Sequence, residues 1–112
     1  MNKDLVVERR SEGAAVVLTH QSDIDMARAP AMRTAVAAVI RDRPPTLVLD
    51  LSKVIYVDSS GIATLVEALK VSLRNKVRLV LVGINPRVQS AFEITKLVGM
   101  FTISDSVAKA AG

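Results

Sequence analysis

Asp58-Ser59-Ser60-Gly61 puts a carboxylate, two hydroxyls and a glycine at the point where an apolar strand pattern gives way to an amphipathic helix pattern. The first amides of a helix have no intrahelical partner and carry a partial positive charge, so an alcohol placed there is well suited to carrying a phosphate. Ser59 is the candidate. A phosphate on Ser59 brings roughly 1.5 to 2 negative charges next to Asp58, so repulsion from the carboxylate competes with stabilisation by the amides. A partner docking there meets a changed electrostatic surface without any refolding. Gly61 lets another backbone approach closely because it has no side chain. The default reading of such a segment is simpler: Asp58, Ser59 or Ser60 caps the helix and Gly61 serves turn geometry.

Other chemistries find less material. A Ser-His-Asp hydrolase needs a histidine, and the single one, His20, follows a strand pattern with nothing to place it beside Ser59; the Gly-x-Ser-x-Gly elbow is also missing. His20 reads as a strand-end surface or hydrogen-bonding residue. The chain has no Gly-x-x-x-x-Gly-Lys-Ser/Thr phosphate loop. Asp23, Asp25, Asp50 and Asp58 could hold a hard cation if they converged, but each has a local role: loop and cap residues, a strand-end acceptor and a helix-start acid. Cysteine is absent, which removes disulfides, thiolate metal sites and thiol nucleophiles. No cofactor or metal is expected, and the protein is not expected to be an enzyme.

Residues 1–112 are expected to form a single domain with an aliphatic core, since 50% of residues are hydrophobic but only 3% aromatic. Scarce aromatics also argue against base stacking, and the net charge of +4 comes from scattered Lys and Arg, not from a basic run, so nucleic-acid binding is not expected. The first residues lack a secretory core, and no apolar run reaches membrane-span length, which predicts a cytoplasmic protein.

The corner must be held by the elements around it. Leu5–Arg9 and Ala14–Thr19 are β-prone runs around Ser11-Glu12-Gly13, predicting an antiparallel hairpin. A helix from about Met26 places Ala29, Met32, Val36, Val39 and Ile40 on one face; Asp25 caps its start and Pro44-Pro45 ends it. Thr46–Leu51 is almost wholly apolar, as befits a mid-sheet strand. After the corner, Ile62, Leu65, Val66, Leu69 and Leu73 form the predicted core stripe of a second helix, with Thr64, Glu67, Lys70 and Arg74 opposite. Val77–Val82 reads as a buried strand ended by Gly83, and Asn85-Pro86 opens a third helix carrying Val88, Ala91, Phe92, Thr95 and Val98. A brief strand over 101–103 and a terminal helix over 105–111 complete the pattern. Val71 and Leu97 project away from their stripes and are expected as exposed aliphatics. The order predicts an α/β fold: a mixed sheet of four to five strands, with right-handed parallel crossovers and helices packed on it. In such sheets sites gather beyond the carboxyl ends of strands, where the Asp58 corner lies.

Taken together these residues resemble the STAS domain of bacterial anti-sigma factor antagonists across nearly the whole chain. Ser22-Asp23-Ile24-Asp25-Met26-Ala27-Arg28-Ala29-Pro30 is similar to the family's first loop and helix start. Leu49-Asp50-Leu51-Ser52 is similar to its central strand, and Val57-Asp58-Ser59-Ser60-Gly61-Ile62 to its signature. Asn85-Pro86-Arg87-Val88 and Phe92–Leu97 resemble the last helix region. The chain departs from the pattern at Ser22, where a glycine is usual, and at Lys96–Met100. The resemblance implies a partner-switching protein: unmodified, it binds an anti-sigma factor that is also a serine kinase, phosphorylation breaks the complex, and a PP2C-type phosphatase restores it. On that resemblance Ser59 is the phosphoacceptor, and Asp58, Ser60, Gly61 and Asp25 belong to the partner-facing region. STAS domains also serve as auxiliary subunits of lipid-transporting ABC complexes, binding the ATPase subunit without phospho-switching, which is the alternative.

Overall fold

The structure, a computed structural model, describes residues 7–112. Five strands lie side by side in sequence order: β1 (Val7–Glu12), β2 (Ala15–His20), β3 (Thr46–Asp50), β4 (Arg78–Val82) and β5 (Thr102–Ser104). β1 and β2 form the antiparallel hairpin; β2, β3, β4 and β5 run parallel. Leu5 and Val6, predicted for the first strand, lie outside the described residues. The strand continues through Ser11 and Glu12, so the turn is Gly13-Ala14 instead of Ser11-Glu12-Gly13. Gly13 takes φ +60°, a backbone that glycine adopts without penalty, and the loop therefore forms one residue later than composition suggested.

Side chains alternate between two buried faces. Val16, Leu18, Leu47, Leu49, Leu79 and Leu81 enter the larger core, whereas Ala15, Val17, Val48, Val80 and Val82 join Ala110 in a smaller one. This two-sided burial explains why β3 and β4 read as continuous apolar runs. Helices α1 (Ala29–Asp42), α2 (Ser59–Arg74) and α3 (Pro86–Ile94) contribute Met32, Val39, Leu65, Leu69, Val88 and Phe92 to the larger core; α4 (Val107–Ala111) covers the other face.

α1 buries Ala29, Met32, Val36, Val39 and Ile40, the predicted stripe, but begins three residues later than Met26. Arg28 occupies the N-cap without a side-chain cap bond. Asp25 instead closes the preceding turn: its Oδ1 accepts from the Arg28 amide at 3.0 Å and its carboxylate pairs with the Arg28 guanidinium. α2 differs more. Its buried residues are Gly61, Thr64, Leu65, Ala68, Leu69 and Ser72, so the face is rotated towards α1, with Ile62 and Val66 partly buried and Leu73 67% exposed. Within that face the small residues Thr64 and Ala68 lie opposite Arg33, Val36 and Ala37 of α1, a role that an apolar count overlooks. Thr64 is satisfied inside the structure, its Oγ1 donating to Ser60 C=O at 2.8 Å and accepting from Arg33 at 3.2 Å. Val71 and Leu97 are likewise corrected, since both pack against the core partly buried.

α3 starts as predicted, Asn85 Oδ1 accepting from the Val88 amide at 2.8 Å. Val88 and Phe92 are its buried residues; Thr95 is the C-cap and Val98 begins a short 3-10 turn (Val98–Met100).

Candidate functional site

The corner is built by stapling two loops together beyond the carboxyl ends of β2 and β3. The first, residues 21–28, leads into α1; the second, residues 51–57, leads into α2. Ile24 and Val57 form an isolated parallel bridge: the Ile24 amide donates to Tyr56 C=O and the Asp58 amide donates to Ile24 C=O, both at 3.2 Å. Asp23 Oδ1 accepts from the Ile55 and Tyr56 amides at 2.9 and 3.0 Å. Ile24, Val54 and Val57 anchor this double loop in the core.

On this platform Asp58 is the N-cap of α2. Its Oδ1 accepts from the Gly61 amide at 2.9 Å, and its Oδ2 accepts from the Met26 amide at 3.3 Å, so one carboxylate both starts the helix and holds the first loop. Of the three residues that could have capped, Asp58 does it. Ser59 is consequently released: it is exposed, it is the first residue of α2, and its hydroxyl makes no hydrogen bond among the described residues. Ser60 is partly buried, its carbonyl engaged by Thr64. The geometry therefore leaves an alcohol at a positively polarised helix end with one carboxylate beside it.

Gly61 is buried, and the close approach it permits is made by this chain itself. A Cβ there would sit 2.6 Å from Val57 Cγ1 and 2.8 Å from Ile24 Cγ2, and closer still to the Ile24 carbonyl oxygen. Its missing side chain is what lets α2 start directly on the Ile24–Val57 bridge.

The carboxylates do not converge. Asp23 and Asp58 spend their acceptors on loop amides, Asp25 on Arg28, and Asp50 Oδ1 on the Ser52 amide at 3.0 Å. Among the described residues no group of three or more His, Cys, Asp and Glu side chains could hold a metal ion. His20 is not a surface residue; it is fully buried at the end of β2, its Nδ1 2.7 Å from Ser22 C=O. Burial lowers its pKa from the ordinary 6.5, outweighing the opposing effect of the Ser22 bond.

Three exposed apolar side chains on the two stapled loops escaped the sequence reading: Met26 at 75% exposure, Ile55 at 63% and Tyr56 at 48%. They carry no periodicity, because they lie in irregular segments; the only available signal was apolar residues inside turn-rich stretches. From Ser59 a groove of about 690 Å³ runs along α2, with Ile62, Val66 and Leu97 in its lining and Lys70 and Arg74 towards its far end.

The architecture is a five-stranded mixed sheet with an exposed serine opening the helix after its central strand, and comparison with known proteins gives its class. The STAS domain family model matches residues 6–110. The chain belongs to the STAS domain family. The crystal structure of a candidate anti-sigma factor antagonist from Thermotoga maritima is similar, with a TM-score of 0.85 at 20% identity, covering 95% of this chain and 92% of that one. An anti-sigma factor antagonist from Mycobacterium paratuberculosis has a TM-score of 0.80 at 27% identity, covering 93% and 88%. The antagonist SpoIIAA in its unphosphorylated form has a TM-score of 0.77 at 17% identity, covering 94% and 91%. Among the described residues no helix is long and apolar enough to cross a membrane.

Proposed function

We propose that this single-domain protein is a bacterial, cytoplasmic anti-sigma factor antagonist, a partner-switching regulator with no catalytic activity, controlled by phosphorylation of Ser59. The observation that carries the reading is the division of labour at the corner: Asp58 caps α2, leaving the Ser59 hydroxyl exposed and unbonded. A kinase therefore reaches an alcohol whose modification breaks no structural bond. The likeness to the mycobacterial antagonist supports the same reading.

The partner is an anti-sigma factor that is also a serine kinase. It docks on the corner, gripping Met26, Ile55 and Tyr56 as apolar anchors around Asp58, Ser59 and Ser60, with Asp25 at the edge. Gly61 contributes by setting the helix start. Phosphate on Ser59 places roughly 1.5 to 2 negative charges at the centre of that surface, beside Asp58, and expels the partner. A PP2C-type phosphatase resets it.

Incubation with the cognate kinase and ATP, followed by peptide mass mapping, is expected to place phosphate on Ser59. Ser59→Asp is expected to weaken kinase binding at least tenfold and Ser59→Ala to preserve it. Equal affinities reject the mechanism and favour the alternative, an auxiliary subunit that docks on a transporter ATPase irrespective of charge at this position.

A further inference from the structure

His20 is a fully buried titratable residue directly beneath the corner. Because Nδ1 faces the Ser22 carbonyl, which only accepts, Nδ1 must carry the ring proton. The neutral ring therefore presents a bare lone pair at Nε2, which is buried and has no partner among the described residues. That arrangement costs the neutral ring one unused acceptor, a smaller penalty than a buried charge. It is not tolerable for the cation, which would bury both a charge and an N–H donor with nothing to receive it.

Among the described residues, the surrounding charges do not resolve this conflict. Arg28, at the start of α1, opposes a second positive charge, and Asp23 and Asp25 favour it. Both carboxylates are committed, Asp23 to the Ile55 and Tyr56 amides and Asp25 to Arg28. Across the sheet, β1 offers Val7 opposite His20. Asp50 of β3 is level with Thr19 and so lies on the other face, and Lys53 of the connector, the loop of residues 51–57, is bonded to Gln21.

We propose that His20 makes the switch corner acid-labile: one proton taken up at Nε2 detaches the loop of residues 21–28 from the connector and from Asp58. The loop is the element that yields because His20 holds its first turn through Ser22, and beyond the one buried side chain of Ile24 its ties to residues 51–58 are a single bridge and a few hydrogen bonds. Opening exposes Nε2 to water while the sheet stays intact. Acid would thus remove the ordered Met26 and Asp58 surface without any phosphate, a second input to the same switch. That regulatory consequence rests on the proposed function; the opening itself does not.

The test uses the unphosphorylated chain alone, so it stands or falls independently of any kinase. Amide hydrogen-exchange protection factors are measured by NMR from pH 7.5 to 5, with the Ile24 and Asp58 amides as reporters and those of Val48 and Val80 as sheet references. Below the ordinary histidine value, reporter protection is expected to fall about tenfold per pH unit, the slope for one linked proton, while remaining below that of the sheet. In His20→Gln the slope is expected to vanish. The ring carbon shifts of wild-type His20 are expected to titrate below 6.5, a readout that needs no variant. Flat reporter protection, reporters as protected as the sheet, or a ring titrating at 6.5 or above overturns the proposal.

Discussion

Replacing Asp58 by alanine and Ser59 by alanine, side by side, tests the geometry on which the functional reading depends. Asp58→Ala removes the 2.9 Å cap bond to Gly61 and the 3.3 Å bond to Met26. Losing an N-cap acceptor costs about 1 kcal/mol. The second, longer bond adds about 0.5 kcal/mol, and the lost negative charge at the helix start a few tenths more, in the range of about 0.3–1 kcal/mol. The expected total is about 2 kcal/mol, which for a chain of this size corresponds to a drop in Tm of roughly 8 °C. Ser59→Ala removes an exposed hydroxyl with no partner among the described residues, at a position where alanine is the better helix former. Its expected effect is within about 0.5 kcal/mol of wild type. Asp58→Asn, which keeps a capping oxygen, is expected to retain most of the stability. Urea unfolding followed by circular dichroism reads all three. If Ser59→Ala costs as much as Asp58→Ala, the Ser59 hydroxyl is itself the cap, the alcohol is not free, and the argument for a modifiable corner fails.

Gly61→Ala is expected to lose about 2–3 kcal/mol despite alanine's better helix propensity, because the new methyl meets Val57 and the carbonyl of Ile24, which is pinned by the Asp58 amide; wild-type stability in urea would show that the bridge yields. Gly83→Ala is expected to destabilise by at least about 1 kcal/mol, since φ is +75° and a Cβ would lie 2.7 Å from the Ser52 amide nitrogen, a result the same titration reads. Asp23→Ala leaves the Ile55 and Tyr56 amides without their acceptor and is expected to raise amide exchange at those two positions at least tenfold, with the sheet unchanged. The pH dependence of global stability has a fixed sign. His20 binds a proton less readily folded than unfolded, so its contribution is complete above about 6.5 and declines as pH falls through the lowered folded value; urea midpoints at pH 7.5 and 5.5 should decrease in that order.

The elements of this protein follow from local chemistry. The largely apolar runs Thr46–Leu51 and Val77–Val82 read as strands buried in the sheet, and Pro44-Pro45, Gly83 and Asn85-Pro86 mark element ends through their backbone restrictions. The α1 stripe was legible in full because its spacing is regular and its buried residues are all apolar. The Asp58–Gly61 corner was legible as a helix start, since carboxylate, hydroxyl and glycine are each favoured there for reasons confined to one turn.

What depends on distance along the chain could not be read. Which residue caps α2, and hence which serine is free, is decided by Ile24 and Met26, more than thirty residues before Asp58, which fix the orientation of its backbone and carboxylate. The burial of Thr64, which accepts from Arg33 of α1, and the exposure of Leu73 are set by where α1 lies against α2, a property of two helices and not of one sequence window. His20 went inside for the same reason: a histidine ending a strand has no local mark of depth, and its burial, with Nδ1 against the Ser22 carbonyl, is decided by the tertiary structure. Hydrophobic period and turn chemistry act within a few residues, whereas the stapling of two loops is a long-range choice made by packing.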